Sequence, residues 1–243
     1  MKRYFPLIFI VALLSTACRK KEVQATPEHG SVLLFFEHWT NNDYVLFEQA
    51  YYTNAAGNQY RISSLRYFIS GLKLYQNGVE KFYSETPPIS INGKYAEYCM
   101  ADYHKIPTGK YDSLSLAFGV VPEYNHHGSF ELNYNDYNMY WPENMGGGYH
   151  FMKFEGHWKD GHELGTFAFH IGGAENLLTL GFRTTVDIDE SIPANLTIAM
   201  NTNQWFESPY LYDLTKETGY TMGDTLRMKR LVENGKNAFS IKK

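Results

Sequence analysis

The sequence predicts an all-β domain: an antiparallel β-sandwich or distorted barrel with one short helix near the C-terminus. Three observations predict it. Aromatic residues are abundant, with 20 Tyr and 16 Phe, and such side chains suit pleated, half-buried surfaces. Two dipeptides, Asn77-Gly78 and Asp160-Gly161, stand between alternating segments and signal tight hairpins. Short alternating runs recur with turn residues between them, while Leu-rich helical periodicity is scarce.

In chain order, Met1 to Ala17 reads as a signal peptide: Lys2-Arg3, an apolar run from Tyr4 to Leu14, then small residues. The run is too short to span a bilayer. Ser15-Thr16-Ala17-Cys18 resembles a bacterial lipobox, so cleavage before Cys18 and lipidation of Cys18 are expected. Residues 18–30 then form the lipidated Cys and a polar tether, and residues 31–243 one domain with a sizeable core. Lipidation of Cys18 leaves Cys99 alone with no disulfide partner; such a Cys is usually a buried small hydrophobe, with a copper ligand or reactive thiol as the alternative. The formal net charge is −4, and loss of residues 1–17 removes Lys2, Arg3 and no acid, making it −6. That balance argues against a nucleic-acid partner.

Within the domain, Ser31 to Trp39 alternates Val32, Leu34, Phe36 and His38 against Leu33, Phe35, Glu37 and Trp39. Leu65 to Tyr75 and Val79 to Tyr83 flank Asn77-Gly78. Tyr111 to Val121 follows the turn Pro107-Thr108-Gly109, and Leu177 to Asp187 and Leu196 to Asn201 read as later strands. Asp224 is placed to cap a helix over Thr225 to Glu233, closed by Asn234-Gly235. Ala238 to Ile241 is the last expected strand.

The densest stretch is Asn138 to Gly173, which holds two of the four Trp and four of the nine His. With Asp160-Gly161 as the turn, Lys153 faces Ala168 and Phe151 faces His170. His150, Met152, Phe154, Phe167, Phe169 and Ile171 then share the core face. Phe151, Lys153, Glu155, Thr166, Ala168 and His170 share the polar one, since side chains alternate with period two. Nine His are available, and imidazole suits Cu, Zn and Ni. No His-x-x-x-His or Cys-x-x-Cys spacing sharpens that signal. His170 can equally be a strand histidine bonded to backbone or to Glu155. His126-His127 read as a solvated loop, and His157 and His162 flank the hairpin tip.

Two other classes are open. Trp39, Trp158 and Trp205, if exposed, would serve a cell-surface module for glycan or a protein partner, because an aromatic ring offers a flat apolar face. Glu155 and His170 could form an acid–base pair, but no Gly-x-Ser-x-Gly nucleophile motif and no phosphate loop occurs.

A set of blocks in fixed order carries a resemblance: Phe36-Glu37-His38; Ser64-Leu65-Arg66-Tyr67-Phe68-Ile69-Ser70; Phe118-Gly119-Val120 with Asn125; Met139-Tyr140-Trp141; Gly148-Tyr149 with Lys153-Phe154-Glu155-Gly156; Phe169-His170-Ile171-Gly172-Gly173; and Asn234 with Phe239-Ser240-Ile241. Together they resemble the MbnP-like family of bacterial copper-binding proteins, in its lipoprotein form, over nearly all of the mature chain. The resemblance implies a secreted, β-rich metal-binding protein. In some relatives copper is held by two His and a kynurenine formed from Trp. Carried over by position, it implies His38, His170 and Trp141 as the metal residues. The chain departs from the pattern at Trp141-Pro142-Glu143, where the family has Trp-x-Trp, and in the added Gly146-Gly147-Gly148. The expectation is therefore a lipid-anchored protein of the bacterial cell envelope that binds or handles copper. It would be an outer-membrane lipoprotein facing periplasm or exterior, partnered by a metal ion and the membrane, and not an enzyme.

Overall fold

The computed structural model describes residues 28–242. The expected signal peptide, Cys18 and most of the tether lie outside the described residues. Within them the chain forms β1 (His29–Thr40), β2 (Asp43–Tyr44), β3 (Tyr52–Thr53), β4 (Gln59–Gln76), β5 (Val79–Tyr83), β6 (Ile89–Asn92), β7 (Met100–Pro107), β8 (Gly109–Phe118), β9 (His150–Asp160), β10 (Glu163–Gly172), β11 (Leu178–Ile188), β12 (Ala194–Asn201), α1 (Thr225–Gly235) and β13 (Phe239–Lys242).

Two sheets pack face to face, as the sequence predicts, and neither closes into a barrel. The first runs β13-β12-β1, with β7 and β2 also on β1. The second runs β10-β9-β4-β8-β11, and the 18-residue β4 also pairs β3, β6 and β5. Among the named strands every pair is antiparallel except β1 with β12, which is parallel from Val32↔Ala194 to Trp39↔Asn201. The alternation of β1 appears as expected: Val32, Leu34, Phe36 and His38 are all buried toward the core. They meet Tyr67, Phe118, Phe154, Phe167, Phe169, Trp205 and Phe206 in one aromatic-rich cluster. Fully burying a large apolar side chain contributes about 1.5–3 kcal/mol, so this layer carries most of the fold's stability.

The outer face of the second sheet is covered as well. The segment between β8 and β9 crosses it, with Phe68 packed edge-on to Phe130 at 5.6 Å and to Tyr149 at 5.8 Å. That cover, which includes the short helical turns Tyr134–Met139 and Glu143–Met145, places Trp141 over the β9–β10 hairpin.

The two hairpins differ. At Asn77-Gly78 the flanking pair is Gln76↔Val79 and both turn residues have positive φ, 52° and 74°, the type I′ turn expected for Asn-Gly. At β9–β10 the flanking pair is Asp160↔Glu163. The turn is therefore Gly161-His162, not Asp160-Gly161, and only its first residue, Gly161 at 58°, has positive φ. Glycine at the first central position fits a type II′ turn. Every partner moves by two residues, so Lys153 pairs with His170 rather than with Ala168. A shift of two preserves the faces, and Glu155, Lys153 and His170 stay together on the outer side.

A bulge makes the second correction. The register runs Met152↔Ile171 and then Gly172↔His150, leaving Phe151 unpaired. One extra residue reverses the alternation beyond it. Phe151 joins the core, where a Cβ on Gly119 would run into its ring at 2.7 Å. His150, expected on the core face, turns outward to the side of His170. α1 starts at Asp224, whose carboxylate accepts from Arg227 N at 2.9 Å as expected, and its buried Asn234 ties the helix end to Trp205 and Tyr210.

Candidate metal centre

His170 is held on three sides. Its Nε2 lies 2.7 Å from Glu155 Oε1. Its backbone N–H donates to Thr221 Oγ1 at 2.8 Å, and that hydroxyl donates to the His170 carbonyl, also at 2.8 Å. Glu155 is a carboxylate acceptor, so Nε2 is the nitrogen that carries a proton toward it, and Nδ1 is the position left for a lone pair. The His170 hydrogen bond holds the Glu155 carboxyl below its usual range against the opposing effect of burial, with Lys153 Nζ, 3.6 Å away, adding to the lowering. Nδ1 of His170 is buried and has no hydrogen-bond partner.

His150 stands beside it, the two ring centroids 5.1 Å apart and the planes at 88°. Both His150 nitrogens are buried without a partner. The backbone at Met139 and Tyr140 lies close enough to favour the charged ring slightly, but not in hydrogen-bonding geometry. Burial, and then the charges of His170 and Lys153, lower its pKa to about 4, so the ring is neutral through the physiological range. Three ring nitrogens are thus collected in one spot with no protein partner, and each such group costs about 1–3 kcal/mol.

Trp141 closes the third side. It is 3% exposed, its ring centroid is 4.8 Å from that of His150 at 75°, and its indole N–H donates to Met145 O at 3.0 Å. Gly172 makes the approach possible, since a Cβ there would overlap the indole. The structure therefore brings Trp141 within one ring of His170.

His38 is not part of this group. Its Nε2 is 2.9 Å from Tyr67 Oη, between the two sheets, and burial lowers its pKa to about 4. Arg66, the residue before Tyr67, is in register with Lys153 and through it with His170. Neighbouring residues of a strand point to opposite faces, so His38 and His170 lie on opposite sides of the second sheet. The structure therefore does not bring His38 together with His170 and Trp141, as the resemblance implies; the side chain it sets beside these two is His150.

Among the described residues no group of three His, Cys, Asp or Glu converges as a ready metal site. Cys99 is buried and free, its thiol donating toward Asn92 O and Tyr95 O at 3.4 Å, and burial pushes its pKa up to about 11. His127 stacks on Tyr140 at 4.0 Å. The three Trp considered for glycan binding do not form an open row. Trp205 is fully buried, Trp158 is half-buried, and Trp39 lies between Tyr44 at 3.7 Å and Lys242 Nζ at 3.4 Å.

The family model MbnP matches residues 29–223. Among solved structures, MbnP from Methylosinus trichosporium is similar with a TM-score of 0.52 and 13% sequence identity, over 76% of this chain and 80% of that one. At that identity the likeness shows the shared fold alone. No curated protein matches the chain.

Proposed function

The chain belongs to the MbnP family, and from that premise we propose that it is a lipid-anchored protein of the bacterial cell envelope that binds copper at His150 and His170. The observation that carries the reading is the set of buried, unpartnered ring nitrogens beside Trp141. Such nitrogens are unfavourable in the apo protein, and an ion would satisfy two of the three, His170 Nδ1 and the one lone-pair nitrogen of the neutral His150 ring. The donor set fits the metal: neutral imidazole is the binding form, and imidazole suits Cu(II).

His170 would bind through Nδ1, because Glu155 occupies Nε2 and fixes the tautomer, the arrangement by which a carboxylate orients a ligating imidazole. His150 would supply a second nitrogen, already neutral at pH 7. Trp141 as it stands offers no lone pair, since its N–H is turned to Met145 O. It shields the centre from water on one side, and further donors come from water. The reading is of a binding protein. In it Glu155 and His170 form a hydrogen-bonded pair that orients a ligand atom.

Isothermal titration of Cu(II) into wild type, His150→Ala, His170→Ala and His38→Ala tests it. Loss of high-affinity binding in the first two variants and retention in the third is expected. Retention in both His150→Ala and His170→Ala, or loss in His38→Ala alone, would overturn the assignment.

A further inference from the structure

His38 lines a cavity of about 600 Å³ to which neither His150 nor His170 contributes. It opens between the second half of β1, the segment 44–49 and the turn 93–99. Phe36 and Cys99 are its buried wall, and Leu46 and Tyr95, 51% and 44% exposed, stand on its open side with Phe47. A concave, mostly aromatic lining of this volume suits a small molecule, provided a few polar groups fix its orientation.

One such group is His38 itself, 6% exposed. Its Nε2 lies 2.9 Å from Tyr67 Oη, and the Tyr67 hydroxyl has no other partner. The hydroxyl therefore donates, Nε2 accepts, and the proton of the neutral ring sits on Nδ1. Among the described residues no protein group accepts from Nδ1. It faces the cavity past Gly93, where a Cβ would lie 3.1 Å from Nδ1, from Cε1 and from the Phe47 ring. The missing side chain of Gly93 is what leaves the N–H within reach. The Cys99 thiol, by contrast, is already directed to Asn92 O and Tyr95 O. Two charged residues line the cavity, Glu37 and Lys94. The Glu37 carboxylate is engaged by Lys242 Nζ at 3.1 Å and by the Trp39 indole N–H at 3.0 Å. Lys94 is exposed and has no ion pair among the described residues.

A buried N–H donor, an aromatic wall and one uncompensated cation define a ligand: flat, with a hydrogen-bond acceptor at its inner end and a single negative charge at its outer end. We propose that this cavity binds a small aromatic keto acid, its rings against Phe47 and Tyr95, its carbonyl oxygen accepting from His38 Nδ1 and its carboxylate at Lys94. The site is independent of the copper reading, because His38 and His170 lie on opposite sides of the second sheet.

The test uses the mature full-length chain and calorimetry with three probes: 6-acetyl-2-naphthoate, 2-naphthoate, which lacks the carbonyl, and 2-acetylnaphthalene, which lacks the charge. Wild type is expected to prefer the first over the second by at least about fivefold, the loss of a buried hydrogen bond, and over the third by up to about fivefold, the contribution of an exposed ion pair. Gly93→Ala should abolish the first preference and Lys94→Ala the second, while Tyr95→Ala weakens all three probes. His150→Ala/His170→Ala should bind all three as wild type does, so a failure of the copper centre leaves this result standing. A thermal melt checks folding; if Gly93→Ala does not fold, Lys94→Ala and Tyr95→Ala, both at exposed positions, carry the test. No binding of any probe to wild type, equal affinity for all three, or preferences that survive in the folded variants overturns the proposal.

Discussion

Replacing His150 by Phe should make the apo protein more stable and more acid-resistant while abolishing Cu(II) binding. The ring sits among Trp141 and His170 with both nitrogens unpartnered. Removing two buried unsatisfied groups gains about 1–3 kcal/mol each, against about 1–3 kcal/mol for fitting the slightly larger ring. Taken at the centres of these ranges, the net gain at pH 7 is about 2 kcal/mol. The pH dependence is the sharper number. The folded-state pKa of about 4 lies below the unfolded value of 6.5. Below pH 6.5 the unfolded chain therefore takes up a proton that the folded chain refuses, and falling pH favours unfolding. The loss begins near pH 6.5 and is complete near pH 4, reaching about 2 kcal/mol at pH 5 and about 3 kcal/mol at the end. Phe cannot titrate, so this part of the acid sensitivity disappears. Urea unfolding at pH 7 and pH 5 measures both effects. Equal pH dependence in wild type and His150→Phe would refute the buried, neutral state of His150 and the argument that its nitrogens are held for a ligand.

Three other outcomes are expected. His38→Phe should keep Cu(II) affinity within twofold by calorimetry, yet lose about 1–3 kcal/mol in urea unfolding at pH 7, because the Tyr67 hydroxyl is left unpaired in the core. Glu155→Gln should weaken Cu(II) binding by about 10–100-fold with the fold intact, the usual loss when a partner that orients a ligating His is changed; calorimetry with a thermal melt checks it, and unchanged affinity would mean that Glu155 does not set the tautomer. Mass spectrometry of the native N-terminus should find mature protein beginning at a lipidated Cys18, and an unmodified terminus elsewhere would end the anchoring proposal.

Much of the architecture was legible because it rests on period two. The alternation of β1, the Asn77-Gly78 turn and the Asp224 cap all follow from local chemistry, and all stand in the structure. Even a turn misplaced by one residue left the faces correct from Met152 to the turn and back to Ile171, since the register moved by two. The same alternation contained the answer for His38. Val32, Leu34 and Phe36 are its companions on one face, a core row, whereas His170 falls on a polar face with Lys153 and Glu155. Family position set the two histidines side by side, and the pattern of apolar residues set them apart. Burial decided the matter, because a core-facing ring and an outward-facing ring on two packed sheets cannot reach one ion.

His150 is the residue that pattern could not find, and the reason is the single extra residue at Phe151. Strict alternation assigns His150 to the row of Met152 and Phe154. A bulge has no firm composition signal, and the only local hint is the pair Gly172-Gly173 opposite it, since glycine often marks a bulge or a close approach. The structure uses Gly172 in both senses: it pairs with His150 across the bulge, and its missing Cβ admits the Trp141 ring. The consequence is energetic as well as geometric. A regular strand would have placed a polar imidazole in the aromatic core and Phe151 on the charged face. The bulge exchanges them, stabilising Phe151 by burial while setting His150 against His170 and Trp141, where its nitrogens meet no protein group. A side chain that an apolar ring of similar size would stabilise, placed by a local departure from regular pairing beside a second unpartnered imidazole, is a conflict between local preference and the fold of the kind that marks a functional site. The bulge, rather than any spacing of histidines along the chain, sets His150 beside His170 and Trp141.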